Sequence, residues 1–213
     1  MKKPRLIAYL LAASLPLTAG AAGVVQQEFS AAVRAAPDLT RGEKLFNDTC
    51  AACHGADAAG VRDGSVPAIA SQHPRVIIRQ LVDYRHDKRW DLRMQNFTNE
   101  HHLADAQAIA DVAAYIGSLA PATRPGIGSG EYAGHGGMVY ASLCASCHGT
   151  RGGGDNSLGV PRLAGQHYEY LLRQMHDAVE GRRPNFPREH IELLKRFQRP
   201  EFVGVADYLS RLD

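Results

Sequence analysis

Apolar residues recur along the chain at positions i, i+3, i+4 and i+7, the spacing of one helix face. The two clearest stripes occupy matching places in the two halves of the chain: Ile109, Val112, Ala113 and Ile116, then Phe202, Val205, Ala206 and Leu209. A second helix in each half is indicated by Ile77, Leu81 and Tyr84, and by Leu171, Met175 and Ala178. No segment alternates apolar and polar residues as a half-buried strand does. The pattern predicts an all-α fold.

The two halves of the chain match each other at a constant offset of 94 residues. Residues 50–54 return as residues 144–148, both times with the pattern Cys-x-x-Cys-His. Other matches at this offset need no gap: Gly42 with Gly136, Gly60 with Gly154, Pro67 with Pro161, Gln72 and His73 with Gln166 and His167, and Arg89 with Arg183. We therefore interpret the chain as a tandem duplication of one helical unit of about 80 residues.

Residues 40–119 and 135–213 are the two predicted domains, and residues 120–134 are the predicted linker. The linker region contains Pro121, Pro125 and several glycines, a composition typical of connecting segments. Residues 24–39 are rich in alanine, lie outside the repeat and have no predicted place in either domain. Domains of this size have marginal cores, so a cofactor or a cross-link is expected in each.

The first 22 residues have the pattern of a secretory signal peptide. Lys2, Lys3 and Arg5 precede an apolar run at residues 6–17, and small residues follow at 19–22. The run is shorter than the ~20 residues that a membrane-spanning helix needs, so cleavage near Ala21 or Ala22 is expected. An exported protein without a spanning segment is therefore predicted, with an uncleaved membrane anchor as the alternative.

Composition narrows the function classes only slightly. Hydrophobic residues at 45% and charged residues at 22% are ordinary for a globular protein. The formal net charge of +2 excludes a strongly basic nucleic-acid-binding protein, and it becomes −1 when the three basic residues of the signal peptide are lost. No nucleic-acid partner is expected.

The repeated Cys-x-x-Cys-His motif is the attachment signature of c-type haem. Two thiols three residues apart lie near one face of a helical turn, where they can bond the two haem vinyl groups, and the adjacent histidine then points at the iron. This predicts two covalently bound haem c groups, held by Cys50, Cys53 and His54 and by Cys144, Cys147 and His148. A thioredoxin-like motif, a zinc site of four thiolates and plain disulfides are the alternatives, and all three leave the histidines without a role.

Two such motifs in tandem helical units resemble the dihaem class I cytochromes c of the cytochrome c4 group. The matching stretches are residues 67–72 and 161–166, the Arg-Gln pairs at 79–80 and 173–174, and the closing helices. The resemblance covers nearly all of the chain after about residue 40. It implies two tandem class I cytochrome c domains that carry electrons between redox proteins in the bacterial periplasm, often toward a terminal oxidase, without catalysis of their own.

The resemblance also implies a methionine as the second axial ligand, in the loop before the last helix of each unit. Met94 lies 40 residues after His54 in such a polar loop, and it is the predicted second ligand of the first iron. A methionine that fills a gap in the core is the alternative. Rival ligands in the same unit are His73, His86, His101 and His102.

The second unit departs from the family at this position. Alignment across the loop puts Arg188 or Pro187 opposite the methionine of the first unit, and neither side chain can bind iron. His190, 42 residues after His148, ranks first as the second ligand, since a neutral imidazole binds iron well. An open or water-bound iron comes next, then Met175 or another histidine. A surface histidine without a ligand role is the alternative for His190.

Unlike ligands would give the two haems unlike potentials, because methionine ligation raises the potential relative to a second nitrogen ligand. The leading functional prediction is a periplasmic electron carrier, as a monomer or a homodimer. The second is an electron-accepting subunit of a larger oxidoreductase, such as a sulfide-oxidising flavoprotein. The third is a haem enzyme, which requires an open iron in the second unit.

Two further features have predicted roles. His73 and His167 recur at the start of the middle helix, where a polar residue at a helix terminus is favoured over a contact with haem or with the other unit. Arg182, Arg183 and Arg188 form a basic cluster that could bind an acidic partner, with an ordinary solvated surface as the default.

Overall fold

The computed structural model describes residues 20–213, so the signal-peptide prediction falls almost wholly outside the described residues. Within that range the chain forms eleven α-helices and no β-strand, which confirms the all-α prediction. The first unit contains α1 Ala21–Arg34, α2 Leu39–Leu45, α3 Ala51–His54, α4 Pro74–Arg85, α5 Leu92–Phe97 and α6 Ala106–Ser118. The second contains α7 Ala133–Leu143, α8 Ala145–His148, α9 Tyr168–Val179, α10 Arg188–Leu194 and α11 Arg199–Ser210.

The apolar stripes face the interior of each unit. All eight residues of the two closing stripes, on α6 and α11, are buried. Capping side chains fix where these helices begin: Asp105 accepts from the backbone N of Ala108, and Glu201 accepts from the backbone N of Gln198. The part of the chain that the structure describes has no helix long and apolar enough to cross a membrane.

In each unit the first repeat helix crosses the last helix at a glycine. Helix α2 crosses α6 at Gly42, where an added Cβ would lie 2.2 Å from the carbonyl oxygen of Asp111. Helix α7 crosses α11 at Gly136, where an added Cβ would lie 1.8 Å from the carbonyl oxygen of Gly204. Because only glycine lets the two backbones come so close, these matched glycines set the crossing that positions each cysteine motif.

The N-terminal helix α1 covers the first unit. Its buried residues Val25, Phe29 and Ala32 pack against α4 and α6. Glu28, on the same helix, pairs with Arg85 and with His86, whose Nε2 lies 2.6 Å from the carboxylate. The structure thus supplies a place for residues 24–39, to which the sequence pattern assigned none.

The segment between α6 and α7 contacts both units. Gly126 donates from its backbone N to Nδ1 of His167, and its carbonyl accepts from the backbone N of Tyr168 at 2.8 Å. An added Cβ on Gly126 would lie 1.8 Å from the carbonyl oxygen of Arg62, in the first unit. The connecting segment is therefore held between the two units by specific backbone contacts.

Equivalent histidines join the two units in both directions. Nε2 of His73 lies 2.8 Å from the carbonyl oxygen of Gly153, and Nε2 of His167 lies 2.8 Å from that of Ala59. Each histidine does precede a helix, as the sequence indicated, but its side chain does not cap that helix. The favoured interpretation of His73 and His167 as polar residues at a helix terminus is therefore wrong, because both rings form hydrogen bonds with the other unit. The acceptors also match at the offset of 94 residues, so the units are related by an approximate two-fold axis.

Candidate haem sites

Each Cys-x-x-Cys-His motif lies on the short helix that follows the first repeat helix of its unit. In the first unit a π-helical turn, Phe46–Cys50, leads into α3, and such turns are frequent at functional sites. One cysteine of each motif, Cys50 or Cys144, is half-buried against an apolar cluster, whereas the other is exposed. Burial raises the pKa of Cys50 to about 12 and that of Cys144 to about 11. Each motif therefore offers two unpaired thiols, one at the core and one at the surface.

The histidine of each motif is buried and held by one hydrogen bond. Nδ1 of His54 donates to the carbonyl oxygen of Pro67 at 3.1 Å, and Nδ1 of His148 donates to that of Pro161 at 3.2 Å. Burial lowers the pKa of both histidines, so the rings are neutral. A neutral ring that donates from Nδ1 keeps a lone pair on Nε2, which is the form that binds a metal. A carbonyl behind a ligating histidine is a common orienting partner, so both sites fit a haem iron.

A glycine lets the loop after each motif return to the histidine. The backbone N of Gly60 donates to the carbonyl of His54 at 2.8 Å, with φ at +70°. An added Cβ there would lie 2.5 Å from the carbonyl oxygen of Pro67. Gly154 repeats this geometry in the second unit, with φ at +71° and the same 2.5 Å approach to Pro161. The glycine thus allows the loop to carry the proline carbonyl onto the proximal ring.

Met94 lies beside the first motif, as the sequence predicts, but on a short helix rather than in a loop. It is the third residue of α5, and the side chain of Asp91 caps this helix by accepting from the backbone N of Met94 at 3.2 Å. The Met94 side chain is half-buried and packs against the same apolar cluster as Cys50. The neighbouring Arg93 is close enough for its charge to lower the pKa of His54 slightly, after the larger effect of burial. The role of Met94 as an iron ligand stays a prediction.

The rival histidines of the first unit have other surroundings. His73 binds the second unit, and His86 pairs with Glu28 on α1. His101 is exposed, and the ring of His102 packs against Phe97 with centroids 5.1 Å apart. None of these surroundings places one of the four histidines in the apolar cluster that Met94 shares with Cys50, and Met94 stays the predicted ligand.

In the second unit His190 lies close to the proximal histidine. It is the third residue of α10, the same place that Met94 has on α5. The ring centroids of His190 and His148 are 6.1 Å apart. Two imidazoles on opposite sides of one metal, each bonded at about 2 Å, have centroids roughly 6 Å apart. The observed separation fits a metal held between the two rings.

The surroundings of His190 keep its ring neutral. Burial, followed by the nearby His148 and the positive charge of Arg183, lowers the pKa of His190 to about 4. Phe186 packs edge-on against the ring at 5.0 Å, which restricts its orientation. The alternative ligand Met175 packs instead between the two apolar clusters of the second unit. Met175 thus has the position of a core side chain, as the simplest sequence interpretation expects.

Arg89 and Arg183, which match at the offset of 94 residues, form a buried polar cluster between the units. Arg89 donates to Gln80, Tyr170 and Gln174, each at 2.7 Å. Burial and the charge of Arg89 lower the pKa of Arg183 to about 9. In the described part of the chain, Nε of Arg183 and Oδ1 of Asn185 are buried and have no hydrogen-bond partner. The match of Arg89 with Arg183 at the offset of 94 residues is the sequence signal that could have identified them.

The three arginines of the predicted basic cluster near α10 have different surroundings, since Arg182 and Arg188 are exposed and Arg183 is half-buried. Arg183 turns into the unit interface, where its guanidinium stacks over the ring of Phe186 at 4.3 Å. Arg182 pairs with Asp177 and Glu180. The default interpretation, an ordinary solvated surface, fits Arg182, whose two ion pairs are exposed. Binding of an acidic partner by Arg182, Arg183 and Arg188 stays a prediction.

The chain matches known proteins along almost its whole length. The sequence model of the family described as "Cytochrome c" matches residues 39–120 and 134–201. A relative from Pseudomonas aeruginosa, "Cytochrome c4", is 33% identical over 210 residues, which cover 95% of this chain and 98% of the relative.

Two solved structures are similar in fold. Reduced recombinant cytochrome c4 from Pseudomonas stutzeri superposes with a TM-score of 0.70 at 25% identity, over 84% of this chain and 100% of that chain. A thiosulfate dehydrogenase from Marichromatium purpuratum superposes with a TM-score of 0.74 at 27% identity, over 83% of this chain and 40% of that one. These matches support two cytochrome c repeats in one chain.

Proposed function

The chain belongs to the cytochrome c family and is an electron-transfer protein like its cytochrome c4 relatives, and from this premise we propose that it is a periplasmic dihaem carrier. In this proposal it passes electrons between redox proteins, toward a terminal oxidase. The observation that carries the proposal is the duplicated Cys-x-x-Cys-His helix with a buried histidine that donates from Nδ1 to a proline carbonyl. Haem c, when bound, supplies the one-electron exchange between ferric and ferrous iron.

Each predicted domain would hold one haem with its own side chains. Residues 40–119 form the first domain, residues 135–213 the second, and residues 120–134 the linker. The attaching thiols are those of Cys50, Cys53, Cys144 and Cys147. The axial ligands are His54 and Met94 in the first domain, and His148 and His190 in the second. The 6.1 Å separation of the two rings in the second domain supports the last pair.

These ligands would give the electrons a direction. Methionine raises the potential of the first haem relative to a second haem that has two nitrogen ligands. Electrons would enter at the second domain and leave from the first. Both irons would have six ligands, so neither would have a position for a substrate, and the protein would be a carrier rather than an enzyme.

The buried arginines support an anionic cofactor close to the unit interface. Arg89 and Arg183 place two positive charges there, with Asp83 as the carboxylate within reach of both charges. Burial raises the pKa of Asp83, which weakens its power to balance them. Haem carries two propionate carboxylates, and arginine is well suited to bind carboxylates. We infer that the unpaired Nε of Arg183 and its neighbours face this carboxylate edge.

A second candidate function is that of an electron-accepting subunit in a larger oxidoreductase. The similarity to part of a thiosulfate dehydrogenase chain favours it, since that protein joins such a fold to further sequence. The two candidates differ in whether this chain is purified alone or with a catalytic partner. In either case the chain itself receives and passes on electrons.

Mass spectrometry of the protein purified from the periplasm, followed by oxidase assays, tests the proposal. The mass should equal the processed chain plus two haems, and the double variant Cys144→Ala, Cys147→Ala should retain one. The reduced protein should then be reoxidised by membranes that contain a terminal oxidase. The double variant should still be reoxidised, because electrons leave from the first haem, but its electron donor should reduce it more slowly. A chain without covalent haem would refute the proposal. Co-purification with a dehydrogenase and no reaction with the oxidase would select the second candidate.

A further inference from the structure

Two glutamines pair with peptide groups of the opposite unit. Nε2 of Gln166 donates to the carbonyl of Ala68 at 2.7 Å, and the backbone N of Ala68 donates to Oε1 of Gln166 at 3.0 Å. In the other direction, Gln72 makes the same two bonds with Arg162, both at 2.9 Å. The residues on both sides match at the offset of 94, so the two pairs are equivalent.

Each glutamine contacts the peptide group whose carbonyl accepts from the proximal histidine of the opposite unit. The peptide bond between Pro67 and Ala68 accepts from Nδ1 of His54 through its carbonyl and donates to Gln166 through its N–H. One planar group therefore lies between the proximal ring of the first unit and a glutamine of the second.

The second unit repeats this arrangement with the partners exchanged. The peptide bond between Pro161 and Arg162 accepts from Nδ1 of His148 through its carbonyl and donates to Gln72 through its N–H. Each proximal histidine is thus two hydrogen bonds away from a glutamine that belongs to the other unit.

We propose that Gln166 and Gln72 are positioning residues that lower the reduction potential of the haem in the opposite unit. This inference rests on the proposed function, because it requires haem at both sites. Hydrogen bonds in a chain polarise one another, so a peptide N–H that donates to a glutamine makes its carbonyl a stronger acceptor. A stronger acceptor on Nδ1 makes the histidine a more basic ligand, which favours ferric over ferrous iron.

The neighbouring histidine bonds serve as an internal comparison. His73 follows Gln72 and also binds the second unit, at the carbonyl of Gly153. That carbonyl belongs to the peptide group whose N–H donates to the backbone carbonyl of His148, and not to the one that accepts from Nδ1 of the His148 ring. Replacing a residue that only joins the units should leave the potentials of both haems unraised, as we expect for His73. Replacing a residue that acts on the proximal ring should raise the potential of the haem in the opposite unit.

Potentials of the two haems in Gln166→Met and Gln72→Met holoproteins test the proposal. Methionine has a similar shape but neither bond of the amide. Gln166→Met should raise the potential of the first haem and leave the second unchanged, and Gln72→Met should do the reverse. His73→Ala should raise neither. Equal shifts of both haems, or no shift at the haem of the opposite unit, would overturn the proposal.

Two further measurements keep the result interpretable. Gln166→Glu retains the oxygen that accepts from Ala68, so the potential of the first haem should stay at or below the native value; a rise equal to that of Gln166→Met would overturn the proposal. Amide hydrogen exchange in the reduced protein should be faster at Ala68 in Gln166→Met and unchanged at Arg162. A chain that binds no haem would instead contradict the proposed function, so the two failures are distinguishable.

Discussion

The ring centroids of His190 and His148 are 6.1 Å apart, with the ring planes inclined by 59°. His190 occupies the third position of α10, just as Met94 occupies the third position of α5. The duplicated unit therefore presents a side chain from the same structural place toward each haem site. The two copies differ in what that side chain is, an imidazole in one and a thioether in the other.

Replacing His190 should open the second iron. In His190→Ala, the second haem should change from low spin to high spin and bind carbon monoxide when reduced, because one axial nitrogen is lost. The first haem should be unaffected, so about half of the total haem should react. Electron paramagnetic resonance and carbon monoxide difference spectra measure these changes.

The matched control for this change is His176→Ala. His176 lies in the same unit, but its ring stacks on Phe202 at 4.6 Å. This variant should keep both haems at low spin. A His190→Ala protein that stayed fully low spin would show that another group binds the second iron.

Replacing Met94 should remove the sulfur ligand of the first iron. Met94→Leu should abolish the weak long-wavelength sulfur-to-iron band of the oxidised protein and lower the potential of the first haem, since methionine is the ligand that raises it. Met175→Leu, which alters a packed methionine of the second unit, should keep the band. If the band persists in Met94→Leu and vanishes in Met175→Leu, then Met175 is the iron ligand and Met94 is not.

Helix α7 contains two glycines that should respond in opposite ways to alanine. Gly136→Ala should destabilise the second unit by about 3 kcal/mol or more, because the new Cβ would overlap the backbone of α11. Gly134 on the same helix has no atom within 4 Å of an added Cβ. Gly134→Ala should therefore stabilise the helix by about 0.5–1 kcal/mol. Urea unfolding followed by circular dichroism measures both, and equal effects would contradict the helix crossing.

The stability of the first unit should depend on pH through Asp111. Burial acts to raise the pKa of Asp111, but hydrogen bonds from Arg41, from the backbone of Asp38 and from Gln107 outweigh it, so the pKa lies below its usual value. The stabilisation is thus complete above the unfolded-state pKa of about 4 and is lost as the pH falls below it.

We expect Asp111→Asn to cost about 1–3 kcal/mol at pH 7, the range for hydrogen bonds to a charged group. The difference from the native protein should shrink at pH 3, because the carboxylate of the unfolded chain is then protonated and folding must release that proton. Urea unfolding at the two pH values measures it. A difference that is the same at both would mean that Asp111 acts through shape alone.

Local patterns were enough to predict the helices and the attachment motifs. Helical stripes depend on residues three and four positions apart, and the distance between Cys50 and His54 is set within one helical turn. The duplication strengthened each prediction, because every element appears twice. Helix α1 shows the limit of this approach. Its buried Val25, Phe29 and Ala32 have helical spacing but no counterpart in the second unit.

Contacts between the units could not be predicted from such patterns. Gln72 and Gln166 bond to the opposite unit, and these contacts depend on how the two units pack. The periodicity of the sequence contains no information about that packing. The repeat did hold a usable signal, since polar residues that recur without a role in haem attachment, such as His73 and Arg89, lie at the interface. The separation of His190 from His148 along the chain gave a similar signal, but only the structure shows that their rings lie 6.1 Å apart.

The near-infrared magnetic circular dichroism spectrum of the oxidised protein tests the central claim most directly, because the axial ligand pair of each low-spin haem sets the position of its charge-transfer band. We predict two bands of equal weight, one from a histidine–methionine haem in the first unit and one from a histidine–histidine haem in the second. A single histidine–methionine band with the weight of both haems would contradict it.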